Sequence, residues 1–255
     1  MTLGSVVKKR LFVLMVSAVI SSFVWAQKPE ISLVAPDYPP YYGAGLPEKG
    51  FVSQIIVAAM ADAGYDVSLQ FLPWKRAVEH VKVGQADGLY TVWYREDRES
   101  WAVFSKPVYY DEIVFIKKKT LAIDYRTLED LKPYLISDVL GYMYPEQYQS
   151  AALRKKNAMN DHEALKRMVL GGADLALVDK VQSQFLLRNM GESLDYYDYL
   201  DPPLERVASH LVLSVLKADA EQIIKKFDKA LAAMKASGRV DQIADDAGFS
   251  RIGFQ

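Results

Sequence analysis

The sequence predicts an α/β protein built as two βα lobes joined by a two-segment hinge. Three observations lead to that expectation. Short apolar strands alternate with helical segments along most of the chain, which is the grammar of a sheet with parallel strands. The stretch VGQADGLYTV at 83–92 returns in kind as LGGADLALVD at 170–179, with glycine ending a helix and an Ala-Asp pair opening a buried strand each time. Two long strand-like segments, 108–117 and 206–216, lie where the chain would leave one lobe and come back to it. The expected boundaries are 27–112 for the first part of lobe 1, 113–207 for lobe 2 and 208–255 for the return to lobe 1.

The elements follow in order. Residues 31–35 are a short apolar run ending in PDYPPYYGAG, whose prolines and glycines dictate a loop after a strand. The segment 51–63 reads as an apolar helix stopped by Gly64, and 67–72 alternates as a strand does. An amphipathic helix is expected over 74–83, ended by Gly84, and a strand over 88–92. In the second block, 128–131 reads as a helical turn, 135–139 as a strand and 144–156 as a helix. A further helix over 161–170 has Asp161 as its N-cap candidate, and 175–178 is the last strand of the block. Beyond Asp201-Pro202-Pro203 and the second long strand, 219–236 and 240–247 read as C-terminal helices.

The N-terminus reads as an export signal. Lys8, Lys9 and Arg10 form a basic region, 11–24 is apolar apart from serines, and Val24-Trp25-Ala26 offers the small residues that signal peptidase reads. A membrane anchor is the competing reading, because the apolar run approaches the shortest spanning length. The serines and the exit sequence favour cleavage, so residues 1–26 are expected to be removed and the mature chain to start at Gln27. Three of the 31 basic residues and none of the 32 acidic ones go with it, which leaves 28 − 32 = −4. That balance argues against nucleic acid or an anionic membrane as partner. Cysteine is absent, so there is no disulfide, no thiolate metal site and no cysteine lipid anchor. A freely soluble, monomeric protein of a Gram-negative periplasm is expected.

Catalytic signatures are missing. The sequence has no Gly-x-Ser-x-Gly elbow, no His-Glu-x-x-His and no phosphate-cradling glycine loop. His80, His162 and His210 lack ligand-like spacing, so no metal and no cofactor are expected.

One set of features does form a recognisable series. Gly84-x-Ala86-Asp87 is followed by Arg98, then after five residues by Phe104-Ser105, Pro107 and Tyr109. A DLxLxD-like run spans Asp174 to Asp179, and Tyr38-Pro39-Pro40-Tyr41 stands ahead of Gly50-Phe51. In order and spacing these resemble the family 3 extracellular solute-binding proteins, the polar amino-acid-binding class that feeds ABC importers, over 31 to about 247. The resemblance implies a two-lobed periplasmic binding protein fold of type II. It also implies capture of a small carboxylate-bearing solute, an amino acid or derivative, for delivery to ABC permease subunits. Arg98 would hold the α-carboxylate, a task that suits a planar fork with two parallel donors. Asp179 would hold the α-ammonium. Tyr38, Trp74, Thr91, Trp93, Gly141, Tyr142 and Met143 would complete the pocket.

Each assignment has a plainer rival. Arg98 can be read as a surface arginine paired with Glu96 or Glu99, Asp179 as a helix N-cap, and the rings as packing within a lobe. The chain also departs from the family pattern. Arg95 stands where a threonine or serine is usual, and Gly141 is followed by Tyr142 and Met143 rather than small hydroxyl residues. Fewer hydroxyls and more rings point away from the small polar amino acids. Two other functions fit the same fold: a ligand sensor for a membrane receptor, and a dehydratase-like enzyme with Asp179 or an unassigned glutamate as its acid or base.

Overall fold

The computed structural model describes residues 28–142 and 144–249. The signal-peptide reading of 1–26, the mature start at Gln27 and the site candidate Met143 lie outside the described residues. Strand β1 (Glu30–Ala35) pairs in parallel with β2 (Asp66–Phe71) on one side and β3 (Gly88–Trp93) on the other. The crossovers are α1 (Phe51–Asp62) and α2 (Trp74–Lys82). Successive side chains of a strand face opposite ways, so β1 feeds two cores. Leu33 packs with α1 residues Ile55, Ile56 and Met60, whereas Val34 packs with Ala77 and Val81 of α2. Gly88 opens β3 where β9 lies close; a Cβ there would stand 2.4 Å from the Val212 carbonyl oxygen.

The second half repeats the plan. Strand β5 (Leu135–Val139) pairs in parallel with β6 (Arg154–Ala158) and β7 (Leu175–Asp179). Leu175 and Leu177 pack on one face with Tyr148 of α3 (Glu146–Ser150). Ala176 and Val178 pack on the other with Leu165 of α4 (Asp161–Val169) and Leu187 of α5 (Lys180–Asn189). The duplicated motif performs one task in both halves. Asp87 accepts from the Ser32 backbone N–H in β1 at 2.9 Å, and Asp174 accepts from the Leu135 backbone N–H in β5 at 2.7 Å. Each carboxylate ties the strand it precedes to the first strand of its half.

Two long strands join the halves. Strand β4 (Ala102–Lys118) runs antiparallel to β9 (Glu205–Ser214) from Ala102↔Ser214 to Ile113↔Glu205. It then pairs with β7 from Ile113↔Asp179 to Lys117↔Leu175, and its end pairs with β8 (Tyr197–Tyr199). The order is β2-β1-β3-β9-β4-β7-β5-β6, with β8 attached to β4. The long helix α6 (Ala220–Ala236) and α7 (Arg239–Asp246) return to the first half, where Ile223, Phe227 and Leu231 pack with α1. Among the described residues no helix is long and apolar enough to cross a membrane.

Three sequence expectations need correction, and two elements were missed. The helix expected over 144–156 is only α3; Arg154–Ala158 is instead the edge strand β6. Its Arg-Lys-Lys-Asn run is largely exposed, and an edge strand carries charge where a buried one shows alternation. The N-cap of α4 is Asn160, whose side chain accepts from the Glu163 backbone N–H at 2.9 Å, and Asp161 is buried in the first turn. The sheet is mixed, parallel within each half and antiparallel at the crossing. Helix α5 and strand β8 went unread, because one is weakly amphipathic and the other has only three residues.

Candidate functional site

A cavity of about 560 Å³ opens beside the crossing strands. Its walls include Tyr38, Trp74, Thr91, Trp93, Arg95, Arg98 and Asp111 from the first half and from β4, with Gly141 and Tyr142 from the second half. A recess of about 20 Å³ shares Tyr38, Trp93 and Tyr142 and adds Asp161, Asp179 and Glu205. Every described residue expected at the site therefore borders one of two adjoining spaces. These spaces lie beyond the carboxyl ends of β1, β3, β5 and β7, where ligands sit in α/β sheets.

Arg98 occupies a short turn, Glu96–Arg98, after β3. Its Nη1 donates to the Trp93 carbonyl at 2.7 Å, and its guanidinium lies 5.4 Å from the Trp74 ring centroid. Among the described residues it has no carboxylate within salt-bridge distance, so the pairing with Glu96 or Glu99 is not formed. Burial, with the neighbouring Arg95 charge, draws its pKa below the usual arginine value. Arg95 borders the same cavity but is engaged by Asp97, with Nε to Oδ1 at 2.8 Å and Nη2 to Oδ2 at 3.2 Å.

Asp179 ends β7 and caps α5. Its Oδ1 accepts from the Gln182 backbone N–H and from the Tyr41 hydroxyl, both at 2.8 Å. Its Oδ2 is buried and has no hydrogen-bond partner. The capping role and an open acceptor thus coexist on one carboxylate. Burial first, and then the Asp111 charge, push its pKa well above the carboxylate range.

The rings divide by role. Trp93 donates its Nε1–H to Asp111 at 2.7 Å, and Tyr142 donates its hydroxyl to Asp161 at 2.5 Å. Thr91 is buried and hydrogen-bonded to the Tyr42 and Tyr109 hydroxyls at 3.1 and 3.0 Å, so it supports the wall. Tyr38, Tyr41 and Tyr109 form a stack, with centroids 5.4 and 4.8 Å apart. Gly141 turns the chain at φ +82°, a conformation that favours glycine.

Sequence reasoning missed Tyr41 and Asp111. Asp111 is 1% exposed; its Oδ2 accepts from Trp93 and from the Ser209 hydroxyl at 2.6 Å, and its Oδ1 is unpartnered. Burial raises its pKa to about 6. The available signal was an acid inside VYYDEIVFI, a largely apolar segment read as strand-like.

The family model for bacterial extracellular solute-binding proteins, family 3, matches residues 31–247. No curated protein matches the sequence. Among solved structures, the chain is similar to the L-cystine solute receptor of Neisseria gonorrhoeae in its unliganded open conformation. The TM-score is 0.70 at 17% identity, covering 89% of this chain and 96% of that one. Substrate-binding domain 2 of Lactococcus lactis GlnP, in open conformation, gives 0.68 at 16% identity, with 86% and 95% covered. A histidine kinase sensor domain with similarity to periplasmic binding proteins gives 0.63 at 18% identity, with 86% and 96% covered. At these identities the structures show a shared fold, the two-lobed architecture of periplasmic binding proteins.

Proposed function

The chain belongs to the bacterial extracellular solute-binding proteins, family 3, and on that premise we propose that it captures a small carboxylate-bearing solute, an amino acid or derivative, for an ABC importer. Membership in that family implies a periplasmic or extracellular location; the periplasm, reached by a cleaved signal, is the location proposed. The observation that carries the reading is Arg98, a half-buried guanidinium on a cavity wall with no carboxylate partner among the described residues. A carboxylate bound there completes a charge-assisted pair in a partly desolvated place, where such a pair is stronger than in water. Trp74 holds the guanidinium plane from behind, and the Trp93 carbonyl fixes one of its nitrogens.

At the other end, Asp179 Oδ2 and the stacked tyrosines receive the solute's amine. The solute thus spans Arg98 in the first half and Asp179 in the second, and it stabilises the closed arrangement by its contacts with both. Binding and closure are the whole output, so no bond-making step is required. The lobes are assigned as 27–112, 113–207 and 208–255, with β4 and β9 as the hinge. A sensory role is the second reading, favoured by the fold shared with a histidine kinase sensor domain. Calorimetry and thermal shift against amino acids, short peptides and organic acids test the capture of a carboxylate. Failure of every carboxylate, with tight binding of an uncharged solute, would overturn it.

A further inference from the structure

The buried end of the cavity carries more negative charge than one amine can match. Ile113 of β4 pairs with Asp179 of β7 and with Glu205 of β9, so these three side chains share one sheet face. Asp111 stands two residues back on the same strand and therefore on that face as well. Asp111 and Asp179 each spend one oxygen on hydrogen bonds and leave the other buried and unpartnered. Both orphan atoms are acceptors. Among the described residues neither carboxylate has a cationic side chain within salt-bridge distance.

The charges can be paired off. A zwitterionic solute neutralises Arg98 with its carboxylate and Asp179 with its ammonium. Asp97 already matches Arg95. Asp111 is then left as a buried carboxylate with no counter-charge, which is strongly unfavourable, and Asp161 and Glu205 in the adjoining recess add to the deficit. A second cationic nitrogen on the solute removes that deficit and supplies the N–H donors that the orphan oxygens lack. The walls suit such a group, because Tyr38 and Trp93 present ring surface to it. No group of three or more His, Asp or Glu side chains among the described residues is placed to hold a metal ion, so an organic cation fits this end better.

We propose that Asp111 is a ligand-contacting, specificity-determining residue which, together with Asp179, seats the positive charge of solutes that carry more amine than carboxylate. The inference rests on the Arg98 reading of the cavity for its charge balance. Burial raises the pKa of both carboxylates, which marks the deficit that a cationic solute would relieve.

The test compares isosteric pairs by calorimetry: L-ornithine with L-norleucine, L-lysine with L-2-aminoheptanoic acid, and L-arginine with L-citrulline. In the wild-type protein at least one cationic member should bind about tenfold or more tighter than its neutral partner. In Asp111→Asn, which retains acceptor and shape towards Trp93, that ratio should fall to within about threefold, while the neutral member changes little. Neutral partners binding equally well, cationic members failing to bind, or discrimination that survives Asp111→Asn would each overturn the inference. The wild-type comparison alone can do so, whatever the variant's stability. Diamines without a carboxylate separate the two readings. If 1,5-diaminopentane binds as tightly as L-lysine and Arg98→Ala leaves both unchanged, the carboxylate clamp fails and the cation subsite stands. If the neutral isosteres bind through Arg98 with no cationic preference, the clamp stands and the subsite fails.

Discussion

Tyr41 donates a 2.8 Å hydrogen bond to Asp179, joining the loop after β1 to the end of β7 across 138 positions of sequence. The hydroxyl is buried, its ring stacks between Tyr38 and Tyr109, and its partner is the carboxylate that also caps α5. Oδ1 of Asp179 is thus held by two donors, the Tyr41 hydroxyl and the Gln182 backbone N–H, and Oδ2 is left over. Removing the hydroxyl leaves the ring stack intact but takes away one of those two donors. Tyr41→Phe should cost about 0.5–1.5 kcal/mol of stability, the net range for one intramolecular hydrogen bond. Urea denaturation checks it, with the midpoint falling and the slope unchanged. An unaltered midpoint would mean that the bond contributes nothing in solution.

The two arginines of the cavity should respond differently to truncation. With any carboxylate solute that binds, Arg98→Ala should weaken affinity by roughly 3 kcal/mol, over a hundredfold, because it also strands a desolvated anion. Arg98→Lys should recover only part of this, since an ammonium lacks the two-pronged geometry. Arg95 is already held by Asp97 at a partly exposed position, so Arg95→Ala should cost less than about 1 kcal/mol. Calorimetry on the three variants decides it; equal losses at both positions would indicate a solute with two anionic groups.

Asp111 gives the solute-free protein a pH dependence whose sign can be worked out. Its folded pKa, about 6, lies above that of an exposed aspartate, because burial penalises the charge. Between those two values the folded state binds more protons than the unfolded one, so stability falls as pH rises through this window. The carboxyl's contribution is fully present below the unfolded pKa and is lost by the time pH passes the folded one. Neighbouring charge works the same way, since Asp179 faces it and is also displaced upward. Asp111→Asn should therefore stabilise the solute-free protein by roughly 1–3 kcal/mol at pH 7.5 and by little near pH 4. Thermal melts at both pH values measure this, and destabilisation at pH 7.5 would count against a buried, uncompensated carboxylate.

Much of this was legible in the sequence, and the gaps have physical causes. The strands 31–35, 88–92, 135–139 and 175–178 were readable because each is short, mostly apolar and set off by nearby glycine or proline. Strand β6 was not, because it is exposed along most of its length and so has no apolar face to show. Arg98 was singled out because its spacing to Phe104-Ser105 resembles the family's, a local relationship. Asp111 and Tyr41 acquire their meaning only through Ser209, Trp93 and Asp179, which lie 98, 18 and 138 positions away from them. A single sequence carries no mark of such partners.

The hinge can be tested through the same strands. Among the described residues, only β4 and β9 run from one set of apolar clusters to the other, with Tyr109 in the first-half core and Ile113 and Phe115 in the second. The Ser209 hydroxyl on β9 bonds Asp111 on β4, so the crossing is itself pinned and bending should concentrate where the ladder is irregular. The register shifts between Phe104 and Tyr109, near the first-half end of the crossing. A solute touching both Arg98 and Asp179 should draw the halves together about that segment, because only the closed form offers it both ends. Small-angle scattering should then show a smaller radius of gyration at saturation, and Arg98→Ala should lose the change at the same solute concentration. An unchanged radius in the saturated wild-type protein would refute closure and leave a rigid receptor.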